Sequence, residues 1–427
     1  MKTLQKIKIA GKTVLPIVEG GKGIMVSNGT TAGHFARAGA VGTLSGTAAD
    51  RVPRHERIFH AKTVRQRQDE VQEQNTAGVV AQTNLACEIS NGNGVVMMNV
   101  LWELGRIVPI LEGVLPLVRG KLDAVACGAG MPFQLAELCA KNGIYFVPII
   151  SSARAFKILW ARGFKPHKEW LGAVIYEDPW LAGGHLGITN SDPIDKPVKP
   201  MDKLIELRSL MRELGIGEDV PIIMAGGVWN LAEWQDFIDN PAIGAIAFQF
   251  GTRPILVQES HVAKKWQPIL MNLTKDDIAV NKFSPTGFYS MAVRNSFFKR
   301  LEARKATEDW DGPRGENTVG MSTPDGKKVW LTRAEADDIK KMRGECVGCI
   351  AHCSFSGFCD FGDTTMPLDP RSFCISRQLY WACYNENPDE HLMFVGANGH
   401  RFATDPMYEN DHIPTIKELV QAIMEGR

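Results

Sequence analysis

The sequence predicts an α/β fold, a (β/α)8 TIM barrel with a Cys-rich C-terminal extension. Three observations carry that expectation. Eight short, continuously apolar runs lie between residues 14 and 248, as in strands buried on both faces of a parallel sheet. Helical patterns alternate with several of them. The runs end in glycine and polar residues, and the C-terminal ends of strands are where barrels carry their chemistry. A doubly wound sheet is the main alternative architecture.

In chain order the strand candidates are Val14–Val18, Ala40–Leu44, Val95–Val100, Ala124–Cys127, Ile144–Ile149, Gly172–Tyr176, Pro221–Ala225 and Ala245–Phe248. Helices are expected over Gln134–Asn142, Ala153–Arg162, Met201–Leu214 and Leu231–Ile238. The third has a one-sided apolar stripe, Leu204, Ile205, Leu207, Leu210, Met211 and Leu214, and stops at Gly215 and Gly217. The charged stretch Arg51–Thr76 reads as a surface loop running into an exposed helix. Arg304–Ala334 carries few apolar positions and many turn formers. The division expected is therefore a barrel domain over 1–300 and an extension over 301–427, with no repeat beyond the β/α alternation.

Composition excludes several classes. The chain has 427 residues, 44% apolar and 22% charged, so it can bury a large core. Lys+Arg and Asp+Glu both number 48, and that balance argues against a nucleic-acid binder. No apolar run approaches the roughly 20 residues of a membrane span, and Val14–Val18 is too short for a signal segment. The expectation is a cytoplasmic protein acting on a small molecule, with homo-oligomerisation left open.

Four motifs can carry chemistry. First, Ile222–Val228 and Ala245–Arg253 are apolar strands that end at Gly226–Gly227 and Gly251–Thr252. Glycine lets backbone N–H groups approach a phosphate, a following helix N-terminus favours its charge, and the last two barrel strands are the usual place. Thr252 can add a hydroxyl and Arg253 a charge; alternatively the glycines are tight strand exits. Second, His185 in Ala182-Gly183-Gly184-His185-Leu186-Gly187 sits on a loop near the barrel mouth, where imidazole suits proton transfer; a structural loop histidine is an equal reading. His34, His352 and His400 have no comparable setting. Third, Cys127-Gly128-Ala129-Gly130-Met131-Pro132 and Asn99 can flank a flat ligand, or form a tight turn and a helix cap.

Fourth, six of the nine cysteines crowd the C-terminal region, and Cys346, Cys349 and Cys353 form CxxCxxxC. Thiolates on one turn converge on a metal centre, an iron–sulfur cluster ([4Fe–4S]) or zinc. Cys374 is preferred as fourth ligand over Cys359, which would have to fold straight back. Free thiols are the plain alternative.

Together the strand-end motifs resemble the nitronate monooxygenase family, the former 2-nitropropane dioxygenases, over roughly residues 14–300. The specific parts are Ala182-Gly183-Gly184-His185, Ala225-Gly226-Gly227 and Phe250-Gly251-Thr252-Arg253. Supporting parts are Thr31-Ala32-Gly33, Ala38-Gly39-Ala40-Val41-Gly42, Cys127–Pro132, Ser284 and Ala292-Val293-Arg294-Asn295. The family's enzymes are FMN-dependent barrels related to flavin-dependent enoyl reductases. The resemblance implies that Gly226, Gly227, Gly251 and Thr252 hold the FMN phosphate, that Asn99, Gly128 and Gly184 lie by the cofactor, and that His185 is the base. The implied reaction oxidises alkyl nitronates with O2.

The chain also departs from the family. Tyr176-Glu177-Asp178-Pro179-Trp180-Leu181 stands where the family has Gln-Gly-x-Glu, adding two carboxylates and an aromatic ring. Glu19–Met25 matches the first flavin loop only loosely. The cysteine segment instead resembles, locally, that of iron–sulfur flavoenzymes of the dienoyl-CoA reductase type. An NAD(P)H-dependent flavin/iron–sulfur reductase acting on an enoyl thioester or quinone is therefore the second expectation. A zinc-stapled binding module is the third.

Overall fold

A computed structural model describes residues 2, 4–24, 26–51, 64–102, 107–187, 196–283, 289–307, 318–322, 328–333 and 375–427. Cys346, Cys349, Cys353 and Cys374, with Cys359 and Ser284, lie outside the described residues.

Eight parallel strands close a barrel. They are β1 (Ile17–Glu19), β2 (Val41–Ser45), β3 (Val95–Leu101), β4 (Ala124–Gly128), β5 (Tyr145–Ile150), β6 (Val174–Glu177), β7 (Ile222–Ala225) and β8 (Ile246–Phe250). Each neighbours the next in sequence, and β8 pairs with β1 through Phe248 and Ile17. All eight expected runs form strands. Several runs start a residue or more late, as at Val14–Pro16 and Gly172–Ala173, and Val14 ends a hairpin instead, Ile7–Ile9 with Lys12–Val14, turned at Gly11 with φ +79°. Ile9, Ala10 and Val14 join the barrel's interior cluster, so the hairpin plugs the bottom of the barrel.

Strand alternation decides what the interior contains. Val95 and Met97 of β3, and Ala173 and Ile175 at β6, belong to the inner cluster. Their neighbours Val96, Met98, Val174 and Tyr176 pack outward under the helices. The next inward positions toward the C-terminal end are Asn99 and Glu177.

The helix Gly29–Arg37 follows β1 and starts with a capping box, Asn28 with Thr31. Helices Leu135–Lys141, Ala153–Leu159 and Pro200–Glu213 form where expected, the last stopped at Gly215 with φ +72°. Two expectations need correction. The helix entered from Arg51–Thr76, Val64–Ser90, keeps Gln66, Asp69 and Glu73 exposed but buries one face: Val71 and Asn75 within that stretch, and Val79, Gln82, Thr83, Ala86 and Ser90 beyond it. Much of that stripe is polar, which hides it from a hydrophobicity reading. Asn75, for example, accepts from Ala49 N (3.0 Å) and donates to Gly46 O (3.1 Å). Leu231–Ile238 is no α-helix but a 3-10 turn, Ala232–Trp234, and further turns. The tighter winding eclipses i and i+3 and brings the Trp234 and Phe237 rings 4.8 Å apart.

The chain end completes the barrel. Helix Ile416–Met424 has its own capping box and buries Ile416, Leu419, Val420 and Ile423 in the main core. Residues 378–408 contribute Tyr380, Cys383, Met393, Val395, Phe402 and Tyr408 to a second core with Trp229, Ile255, Leu256 and Trp266. Segments beyond residue 300 are thus packed against the loops that follow β7 and β8.

Candidate active site

Register sets one rim. Ala225 lies opposite both Gln249 and Glu177, Phe250 opposite Glu19, Ser45 opposite Asn99, and Leu101 opposite Gly128. Because all strands are parallel, Asn99, Gly128, Glu177, Gly226–Gly227 and Gly251–Thr252 stand at the same C-terminal end. The loop after β1 closes on this rim. A Cβ on Gly21 would lie 2.4 Å from Asn99 Cβ, and one on Gly20 would lie 2.9 Å from Gly251 Cα. Glycine is required at both places.

Buried Glu19 holds that first loop. Its carboxylate accepts from Lys22 Nζ (3.2 Å), Ser27 Oγ (3.1 Å) and Thr43 N (3.1 Å). Burial pushes the Lys22 ammonium below its ordinary range, against the opposing pull of Glu19.

The loops after β7 and β8 form a cradle. Gly226 and Gly227 have φ +92° and +73°, a backbone region that favours glycine. Gly227 O accepts from Asn398 Nδ2 (2.6 Å), and Thr252 Oγ1 accepts from Gly396 N (2.9 Å). One turn of the chain's end therefore buttresses both loops. Among the described residues, the amides of Gly226, Gly227, Gly251 and Thr252 donate to no backbone carbonyl. A Cβ on Gly184 or Gly251 would meet no protein atom within 4 Å. At Gly251 such an amide stands beside open space, which fits a phosphate group, whereas Gly226 and Gly227 pack against Asp178 and Leu181.

Two parts of the expected phosphate site are corrected. Arg253 does not face the cradle. Its side chain is wholly buried, donating to Trp229 O (2.8 Å), the Arg427 carbonyl (2.9 Å) and Asp405 Oδ2 (2.8 Å). It also stacks 5.3 Å from the Trp229 ring centroid. No α-helix opens directly after either loop either; Thr252 leads into a 3-10 turn, Arg253–Ile255, with Pro254 inside it. Amides and one hydroxyl remain as the groups at this place that could hold an anion.

His185 lies on a two-residue strand, Gly184–His185, that pairs antiparallel with Ser290–Val293 through Ser290 and Met291. Gly183 must be glycine: a Cβ there would stand 2.6 Å from Gly396 N. The half-buried imidazole lies 5.8 Å from the Phe394 ring centroid. Burial pushes its pKa down to about 4, so the ring is neutral at pH 7 and can accept a proton.

The sequence marks Glu177 as a carboxylate added near the site without giving it a role among the site residues, and it occupies an inward rim position. Burial, and then the charge of Asp178, push its carboxyl up to about 7. The signal that finds it is the in–out alternation of Ala173 and Ile175 carried one step further. Asp178 Oδ1 accepts from Trp180 N (2.9 Å) and Leu181 N (3.0 Å), and burial raises its carboxyl as well. Asp178 Oδ2 is buried with no hydrogen-bond partner. Among the described residues no group of His, Cys, Asp or Glu side chains could hold a metal ion, and no helix is long and apolar enough to cross a membrane.

The fold has solved counterparts. FabK from Thermotoga maritima superposes with a TM-score of 0.55 at 16% identity, covering 96% of this chain and 92% of that one. Nitroalkane oxidase from Streptomyces ansochromogenes gives 0.56 at 14%, covering 96% and 95%. The enoyl reductase domain of MlnA from Bacillus amyloliquefaciens gives 0.58 at 11%, covering 96% and 93%. At these identities the likeness is one of fold. No curated protein matches the sequence significantly. The nitronate monooxygenase family model, however, matches residues 5–426. Nearly the whole chain is covered, C-terminal helix included, and the protein belongs to the nitronate monooxygenase family, a family of oxidoreductases.

Proposed function

We propose that the protein is an FMN-dependent oxidoreductase that oxidises alkyl nitronates with O2. One observation carries the reading: a neutral, partly buried imidazole, His185, stands on the same short segment as Gly184 at the end of a barrel whose last two strands carry a phosphate-fitting cradle. Gly226, Gly227, Gly251 and Thr252 would hold the FMN phosphate, with Asn99, Gly128 and Gly184 beside the rest of the cofactor. Bound FMN supplies the electron acceptor for the organic anion. His185 takes the proton from a neutral nitroalkane, or holds the nitronate already formed. The carboxyl of Glu177, largely protonated below pH 7, keeps a negative charge off the rim.

The test is an anaerobic absorption spectrum followed by oxygen uptake. A flavin spectrum bleached by ethyl nitronate, with steady O2 consumption in air, is expected. His185→Asn should lose activity on nitroethane and keep most of it on ethyl nitronate. Bleaching by NADH with no response to the nitronate would replace this reading with a reductase. The same spectrum and an iron assay test the cysteine reading, in which Cys346, Cys349, Cys353 and Cys374 hold a [4Fe–4S] cluster. A dithionite-bleachable shoulder and about four irons per chain, one per cluster iron, are expected. Zinc in its place would make the segment a structural staple.

A further inference from the structure

A cavity of about 590 Å³ lies outside the proposed oxidation site, lined by Lys275, Ile278, Val280, Met291, Ala397, Asn398, His400, Arg401 and Thr404. Its size suits a small organic ligand. One wall is the face of a three-stranded sheet. Ile278 and Val280 alternate inward on one strand, and Met291, opposite Val280, on the next. Val280 is 39% exposed there, an unusual position for a large aliphatic side chain. Met291 also pairs with Gly184, whereas His185 pairs with Ser290, so Met291 and His185 project from opposite faces of the sheet. The cavity is thus behind the His185 strand and separate from it.

The other wall is polar, with Lys275 as its uncompensated cation among the described residues. Lys275 makes no ion pair among the described residues. Arg401 is tied to Glu233 Oε1 and Oε2 and lies 5.7 Å over Trp229. His400 holds Ala397 O at Nδ1 (3.0 Å), leaving Nε2 as the ring's other polar atom. No carboxylate lines the cavity. Asp276 and Asp277 lie between Lys275 and Ile278 in sequence, and Asp405 follows Thr404, but none of them lines the cavity; Asp277 accepts from Thr274 N (2.8 Å) and Thr274 Oγ1 (2.7 Å), and Asp405 from Arg253.

From this pairing we infer a second ligand site: the cavity binds an amphipathic organic anion, its apolar body against Ile278, Val280 and Met291 and its anionic group at Lys275. The site touches the oxidation site twice. Asn398 donates to Gly227 O in the cradle, and Met291 pairs with Gly184 beside His185. An occupant therefore bears on both loops without entering either.

Isothermal titration of the FMN-loaded protein with hexyl phosphate tests this. Saturable binding is expected, with hexanol binding at least about tenfold more weakly, the size of one charge-assisted hydrogen bond. Lys275→Glu should weaken hexyl phosphate by a similar factor. Val280→Trp should fill the cavity and abolish the binding while FMN content stays at the wild-type level. Hexanol binding as tightly as hexyl phosphate would overturn the inference, as would binding unchanged in both variants or no saturable binding to the wild type. Heat of binding is read without turnover, so failure of the nitronate assay leaves this test intact.

Discussion

Glu177→Gln probes the rim through its electrostatics. Glu177 ordinarily ionises near 4.5, and burial with Asp178 alongside raises it to about 7 in the folded chain. A carboxyl with a raised folded pKa costs nothing while protonated, below 4.5. The penalty grows as pH climbs through the interval and is complete above 7. At about 1.4 kcal/mol per pH unit, the full span amounts to about 3 kcal/mol. Glutamine keeps the shape and cannot ionise. The variant should therefore be about 3 kcal/mol more stable than wild type at pH 8, and within about 1 kcal/mol of it at pH 5. Urea unfolding at both pH values, with equal excess FMN, reads the difference from the midpoints. Equal differences at the two pH values would refute the reasoning, because a packing effect does not titrate. So would a variant less stable at pH 8, which would mean that the Glu177 carboxylate is paired rather than exposed to the cost of burial.

Four further outcomes are expected. For a neutral nitroalkane, kcat/KM should be flat between about pH 5 and pH 6, fall toward pH 4 because neutral His185 is the active form and its pKa lies at about 4, and decline above pH 7 as Glu177 ionises; an acid limb near 6.5 would show that the His185 ring is solvated. Gly251→Ala should fold normally, because its Cβ meets no protein atom, but should weaken FMN roughly tenfold or more by occupying the cradle. Gly226→Ala, strained at φ +92°, should lose about 1 kcal/mol of stability as well; fluorescence titration of FMN separates the two. Asp405→Ala removes the carboxylate from fully buried Arg253 and should cost about 3–5 kcal/mol in urea unfolding. A loss under about 1 kcal/mol would mean that the backbone carbonyls suffice to hold the guanidinium.

Much of the fold was legible because parallel barrel strands are apolar on both faces. Runs such as Val95–Val100 and Ile222–Ala225 announce themselves without reference to partners. The glycines at their ends were legible too, since tight exits and close backbone approach leave no other residue type. The buried stripe of helix Val64–Ser90 was not legible, because Asn75, Gln82, Thr83 and Ser90 are buried polar groups. Periodicity of hydrophobicity cannot register a helix face whose core contacts are hydrogen bonds.

The sequence by itself determined the barrel, the order of its strands and the cluster of glycines where its chemistry is expected, all products of local pattern. Tertiary structure alone decided which polar groups meet there. Arg253, adjacent to the cradle in sequence, turns away to Asp405, 152 residues distant along the chain. Thr252 and Gly227 are held by Gly396 and Asn398 from the far end of the protein. Glu177 becomes a rim carboxyl because of strand register and the burial that shifts its ionisation. Local pattern sets the direction of the backbone, but long-range packing sets the partner and solvation of each side chain, and those are what give a side chain its chemistry.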